Sequence, residues 1–467
     1  MTELWQRGAG ELAGMIARQE VSSAEVVEAH LARIETVNPQ VNAITSVLAE
    51  QARTEAVEAD RAVAAGARLG RLHGVPITVK QNIDQVGSAT NHGLLALAGA
   101  IAEVDAPVVE RMRAAGAIPV GRTNCPDMAL RVHTDSALFG LTRNPWNLGH
   151  TVGGSSGGEG AALATGMSPL GLGNDIGGSL RNPASCCGIA SIKPSHGVVP
   201  QASTIPSTDG PASFQLMPVE GPMARTVADV RLGLEVLVGR HRRDPYSLPV
   251  APPAPRPEDR PLRVGVLTDP PGGSTDPRVS ARVRAAADAL AAAGYDVVDG
   301  DPPRYAEAAE LWLEFLGADL HTMHPLLAPL LSADANLFLD NVMAAHPPID
   351  LGAYTQVLMT RQALMREWSQ WFAATDLLLT PAWTQLPFQH GYDISSPQAS
   401  LDTIELIRCV THANLLGLPS ACVSAGLADG LPVGVLLNAD RFRDDLALDA
   451  AEVIEQALGT LTPIDPK

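Results

Sequence analysis

No run in this 467-residue chain approaches the ~20 consecutive apolar residues of a membrane-crossing helix, so no span is expected. The first residues, MTELWQRGAGELAGMIARQE, lack the basic segment and apolar stretch of a secretory signal. Basic residues are outnumbered: 33 Lys and Arg stand against 51 Asp and Glu, a net charge of −18. That balance argues against nucleic-acid phosphates or anionic membranes as partners. Cysteine is scarce and odd in number, and Cys125, Cys186, Cys187, Cys409 and Cys422 show no zinc spacing. A reducing compartment, the cytoplasm, is the simplest expectation. H-E-x-x-H is absent. His321 and His324 have no Glu between them and no evident third ligand, so no metal is expected. No Gly-Lys-Ser/Thr follows the glycine-rich turns, which argues against a phosphate-binding loop.

What the chain has is concentrated between Gly153 and Gly188: GGSSGGEGAALATGMSPLGLGNDIGGSLRNPASCCG. Ser155 and Ser156 lie in one glycine-rich turn and Ser179 in a second, with no histidine in the stretch. Upstream, Lys80 ends the apolar, strand-like run LHGVPITVK. Serines in flexible turns with a lysine available suggest a serine nucleophile activated by lysine. A cationic lysine cannot take a proton, but burial among Val75, Pro76, Ile77 and Val79 favours the neutral amine. Neutral Lys80 would accept the Ser155 proton while Ser155 accepts that of Ser179, and Ser179 would attack a carbonyl. In GNDIGGS the amides of Ile176, Gly177, Gly178 and Ser179 are positioned to converge on the resulting oxyanion. A helix beginning after Ser179 would add its dipole. A base of this kind predicts activity that rises into alkaline pH.

A second reading makes Ser155 the nucleophile. Gly153–Gly157 formally fits the G-x-S-x-G elbow of an α/β-hydrolase esterase, with Asp376 and His412 downstream as its partners. The elbow needs a preceding strand, and WNLGHTV is a poor one. His92, His133, His196 and His390 are scattered, and a structural or surface role is the default for them.

The residues described so far resemble a known family, the amidase signature hydrolases. GGSSGGEGAA, GNDIGGSLRNPASCCG and LHGVPITVK are similar to its two signature elements and its lysine element. GRTNCPDMA (121–129), KPSHGVVP (193–200), GPMARTVAD (221–229) and GLPSACVSAGLADGLPVGVLL (417–437) resemble further blocks, in family order. The resemblance implies an α/β fold with a central mixed, twisted sheet covered by helices on both faces. It also implies a Ser–cisSer–Lys triad of Ser179, Ser155 and Lys80, with Ile176, Gly177, Gly178 and Ser179 as the oxyanion hole. Asp175, Arg181 and Ser156 would brace the loops. Cys125, Met128, His133 and Gly154 would border the substrate. Gln81, Asn174, Asn182 and the Cys186–Cys187 pair depart from the usual pattern.

Apolar residues at 46 % support a substantial core, and the resemblance implies one domain over residues 1–467. Its signature core would span about 70–230, followed by a proline-rich connector at about 248–262. A variable, mostly helical pocket region would occupy about 303–400. Within it Trp312, Phe315, Phe338, Trp383 and Phe388 are candidate pocket walls, against ordinary core packing; several together would suit an apolar, aryl substrate. Early helices are expected from a Ser22–Glu25 capping box and over 48–65. The expected activity is hydrolysis of a carboxylic amide, aryl amides among the options, with ester or carbamate activity and no cofactor. The partner would be a small-molecule amide, the assembly a monomer or homodimer. Three rival readings stay open: a glutamine-hydrolysing subunit of a tRNA-dependent amidotransferase, the Ser155 esterase, and a non-catalytic binding protein on this fold.

Overall fold

A computed structural model describes residues 3–207, 209–250, 254–257, 260–461 and 463–467. Part of the proline-rich connector expected at 248–262 lies outside the described residues.

The local signals act where expected. Ser22 caps the helix Ser23–Val41 through the Glu25 amide, and the Glu25 carboxylate returns to the Ser22 amide. The next helix, Ala49–Ala64, ends one residue inside each expected bound. Strands then alternate with helices. In chain order they are β1 (Ile44–Val47), β2 (Pro76–Lys80), β3 (Ile118–Thr123), β4 (Asp135–Ser136), β5 (Gly140–Leu141), β6 (Arg143–Asn144), β7 (Asn147–Thr151) and β8 (Leu170–Asp175). They continue with β9 (Ala190–Lys193), β10 (Val219–Ala224), β11 (Arg263–Val266), β12 (Asp296–Asp299), β13 (Leu377–Pro381), β14 (Ser420–Ala428) and β15 (Leu431–Ala439).

Eleven of these strands form one sheet in the order β1-β3-β2-β8-β10-β9-β14-β15-β13-β11-β12. It is mixed: β2 is parallel to β3 and β8, β11 is parallel to β12 and β13, and the other pairs are antiparallel. Side-chain alternation gives it two apolar faces. Leu378, Leu436 and Cys422 join one core; their neighbours Leu377, Leu379, Val435, Leu437, Ala421 and Val423 join the other. Residues 303–375 are mostly helical, with helices Tyr305–Leu327, Ala333–Ala345 and Leu351–Phe372, and β13 follows within the region expected to reach about 400.

WNLGHTV is a better strand than its composition suggests. Asn147–Thr151 pairs with Arg143–Asn144, but in a separate two-stranded ribbon, so it does not feed a central-sheet elbow. Among the described residues no helix is long and apolar enough to cross a membrane.

Candidate active site

β2 and β8 are parallel neighbours inside the sheet, so their carboxyl ends lie side by side. Lys80 ends β2 and Asp175 ends β8. Carboxyl ends of parallel strands are where open α/β sheets leave a crevice for ligands. The turn Gly153–Ser156 is brought to these strand ends, and its Gly154–Ser155 peptide is cis. Only glycine fits at 154, because a Cβ there would lie 2.7 Å from the Arg131 carbonyl oxygen and the Val132 carbonyl carbon.

Lys80 is fully buried, and its Nζ lies 2.7 Å from Ser155 Oγ and 2.7 Å from Asn174 Oδ1. Burial pushes the Lys80 amine down to about 8, against the opposing pull of Cys125, Asp175, Glu159 and Glu220. The Ser156 amide donates to the Ser179 carbonyl at 3.3 Å, which ties the two serine turns together. Ser179 is 7 % exposed, whereas Ser155 is 1 % exposed, so of the two Ser179 is the more open to the outside.

The Ser179 turn is held from beneath by Asp175. Its carboxylate accepts from the Gly178 amide at 2.7 Å and the Leu180 amide at 3.1 Å. Arg181 grips the same carboxylate and also donates to the Val410 carbonyl and to Asn414 Oδ1. Burial alone would raise the Asp175 carboxyl, but Arg181, Lys193 and Asn414 hold it well below the usual carboxylate range. The Gly178 amide is therefore committed to Asp175, a correction to the expectation that it converges with the other three on the oxyanion. Among the described residues the amides of Ile176, Gly177 and Ser179 have no protein partner. The helix expected after Ser179 begins at Arg181 and runs to Cys187.

The candidate walls divide into two groups. Trp312 Nε1 donates to the Ile176 carbonyl at 2.8 Å, so its ring rests on the Ser179 turn. Trp383 stacks on Phe388 with ring centres 5.6 Å apart, and Phe388 lies 5.9 Å from His133. His133 Nδ1 pairs with Thr151 Oγ1 at 2.9 Å just before the Gly153 turn. Cys125 is buried, which pushes its thiol up to about 11, and Met128 is half-buried in a left-handed turn. Phe315 instead packs edge-on against Tyr354 at 5.9 Å inside the helical layer. Phe338 is buried on a helix that packs against Pro397–Leu406.

The proposed elbow partners are engaged elsewhere. Asp376 binds Arg260 at 2.6 Å and the Arg263 amide at 2.7 Å, and His412 stacks on Trp368 at 5.1 Å. Among the described residues no group of His, Cys, Asp or Glu is arranged to hold a metal ion.

Four residues at the site were not singled out for a role by sequence reasoning. Glu159 lies under the serine turn and accepts from Thr78 Oγ1 at 2.7 Å and Thr123 Oγ1 at 2.8 Å. Burial raises its carboxyl to about 7 against those two bonds. The available signal was a lone carboxylate in an otherwise uncharged run, GGSSGGEGAALATG. Asn174 and Asn82 flank Lys80, and Asn414 reaches Asp175 across 239 residues of sequence.

This chain belongs to the amidase family, whose model matches residues 25–448. It is 39 % identical over 460 residues to an indoleacetamide hydrolase of Bradyrhizobium diazoefficiens, covering 98 % of this chain and 88 % of that one. It is 33 % identical over 501 residues to the A subunit of a glutamyl-tRNA(Gln) amidotransferase from Salinispora arenicola, covering 99 % of each. The solved structure of a 6-aminohexanoate cyclic dimer hydrolase complexed with substrate superposes with a TM-score of 0.86 at 30 % identity, covering 100 % of this chain and 99 % of that one. The chain is accordingly an amidohydrolase that cleaves carboxylic amide C–N bonds.

Proposed function

We propose that Ser179 is the nucleophile of this hydrolysis and that Lys80 activates it through Ser155. The observation that carries the reading is the 2.7 Å contact between a fully buried Lys80 amine and Ser155 Oγ. Neutral Lys80 takes the Ser155 proton as Ser155 takes that of Ser179, and Ser179 Oγ bonds to the carbonyl carbon. The amides of Ile176, Gly177 and Ser179 donate to the oxyanion. The proton returns through Ser155 to the leaving nitrogen, the C–N bond breaks, and the acyl group stays on Ser179 as an ester. Water, deprotonated along the same route, cleaves that ester and releases the acid. Asp175 and Arg181 keep the Ser179 turn in shape, and Ser156 links it to the Ser155 turn.

The substrate we propose is a primary amide of an arylacetic acid, with indole-3-acetamide as the first compound to try. The likeness to an indoleacetamide hydrolase supports this choice, as do the flat surfaces of Trp312 and the stacked Trp383–Phe388 pair beside His133. Cys125, Met128 and Gly154 complete the proposed border of the pocket, and ester or carbamate cleavage would be a side activity. Phe315 and Phe338 serve the helical layer in this reading. One catalytic domain built from the whole chain, acting in the cytoplasm as a monomer or homodimer, completes it.

A fluorophosphonate probe with peptide mapping tests the mechanism on wild type, Ser179→Ala, Ser155→Ala and Lys80→Ala. The expected label is on Ser179, absent in Ser179→Ala and slowed in the other two. A label on Ser155 that survives Ser179→Ala would overturn it. Ammonia release from indole-3-acetamide and glutamine, aniline release from anilides, and alcohol release from esters and carbamates test the substrate. A glutamine preference with co-purifying subunits would assign the chain to amidotransferase work instead.

A further inference from the structure

Lys80 has two close partners, and only one of them belongs to the serine relay. A neutral amine carries two hydrogens and a single lone pair. If the lone pair is to receive the Ser155 proton, the second partner at 2.7 Å must be an acceptor. That partner is Asn174 Oδ1. With its oxygen toward Lys80, the Asn174 amide also forms a reciprocal pair with Asn82. Asn174 Nδ2 donates to Asn82 Oδ1 at 3.0 Å, and Asn82 Nδ2 donates to Asn174 Oδ1 at 3.3 Å. Asn82 lies two residues beyond Lys80, so the clamp closes between the ends of β2 and β8.

We propose that Asn174, held by Asn82, is a positioning residue for the base: its carbonyl takes one Lys80 N–H and thereby aims the amine lone pair at Ser155. This rests on the triad reading given above. Neutrality is part of the design. A carboxylate in the same place would hold the proton on Lys80, since an opposite charge this close favours the cation by about one to three pH units. The amide supplies direction without that penalty. The role is separable from holding the serine turn, because Ser156 Oγ donates to the Asn174 backbone carbonyl at 3.4 Å, a contact that side-chain substitution leaves in place.

Several charged or titratable groups also face this corner. Glu159 comes from the helix Gly157–Ala164, Glu220 from β10 and Asp175 from β8. Cys125 follows β3, and Arg122 on β3 donates to the Lys80 carbonyl. His92 lies within charge reach of Lys80. Glu220 sits opposite Asn174 in the β8–β10 register. All of these stay unchanged in the variants below, so displacements between profiles report on position 174.

The test is the second-order rate of fluorophosphonate labelling of Ser179, followed from about pH 6.5 to 10, either side of the Lys80 midpoint. It is run on wild type, Asn174→Ala, Asn174→Asp, Asn82→Ala and Lys80→Ala. Asn174→Ala should label about tenfold or more slowly, the scale of a mispositioned base. Asn82→Ala, which leaves Asn174 in place but unlocked, should fall between it and wild type. Asn174→Asp, nearly isosteric, should shift its rising limb by about one pH unit or more to the alkaline side and recover at high pH. The limb shift reports that position 174 faces Lys80; the slowing in Asn174→Ala together with recovery of Asn174→Asp, which keeps an acceptor, at high pH reports the positioning role. An Asn174→Ala rate equal to wild type at every pH, or an Asn174→Asp profile superimposable on wild type, with Lys80→Ala still slowed, overturns this inference alone. Lys80→Ala labelling at the wild-type rate overturns the triad reading and this inference with it.

Discussion

The Arg181 guanidinium holds the Asp175 carboxylate with two parallel bonds, Nε to Oδ2 at 3.0 Å and Nη2 to Oδ1 at 2.9 Å, with both side chains fully buried. The pair spans the Ser179 turn, whose Gly178 and Leu180 amides end on the same carboxylate. Removing Arg181 leaves the buried carboxylate without its bidentate partner. Arg181→Ala should therefore cost about 3–5 kcal/mol of stability, read as a lowered denaturation midpoint. Asp175 has its folded pKa depressed, so its contribution is present above the ordinary carboxylate pKa of about 3.9 and lost as pH falls below it. The destabilisation should accordingly be full at neutral pH and shrink as the solution is made strongly acid. A denaturation midpoint unaltered at neutral pH would show that the bidentate pair contributes nothing net.

The wild-type pH profile should rise through about pH 8, where burial sets the Lys80 amine. The sign follows from the role. Only the neutral amine accepts a proton, and its fraction grows as pH passes the pKa. The rate of Ser179 labelling against pH checks this without reference to substrate. A maximum in mildly acid solution with decline above it would be incompatible with a lysine base.

Glu159 gives a way to move that midpoint. Its charge favours the Lys80 cation, and above its own pKa of about 7 it is increasingly ionised. Glu159→Gln removes the charge while keeping groups that can pair with Thr78 and Thr123. The rising limb should then move to lower pH, by roughly half a unit or more. A shift in the alkaline direction would mean that Glu159 does not act on Lys80 through its charge.

How much of this was legible in the sequence depended on whether a contact was local. The capping box at Ser22, the strand ending in Lys80 and the glycine turns around Ser155 and Ser179 are written within a few residues each. The Asn174 contact with Lys80 depends on β2 and β8 being neighbours, which periodicity does not specify. Asn414 and Val410 meet Arg181 from 233 and 229 residues away, a pairing set by the whole sheet order. The glycine turn suits Gly178 as an oxyanion donor, but the structure gives that amide to the Asp175 carboxylate three residues earlier. Among the aromatic candidates composition could not separate Trp312 from Phe315. Both are on the helix Tyr305–Leu327, but one leans on the Ser179 turn and the other on Tyr354.

Gly177 tests whether Trp312 and the Ser179 turn are one mechanical unit. A Cβ at 177 would lie 2.4 Å from Trp312 Cζ2, and the ring cannot swing freely because its Nε1 is bonded to the Ile176 carbonyl one residue away. Overpacking of this kind costs about 1–3 kcal/mol and is relieved by moving the softer element. Here the softer element is the turn that carries the proposed oxyanion amides, so Gly177→Ala should lower kcat/KM by about tenfold or more. Trp312→Ala alone should mainly raise KM for an arylacetamide by removing a wall. In the double variant the methyl group has room again, and part of the kcat lost in Gly177→Ala should return. The two substitutions are therefore expected to be non-additive, as contacting residues are. A double variant whose losses simply multiply would mean that the turn is set by Asp175 alone and that Trp312 only covers it.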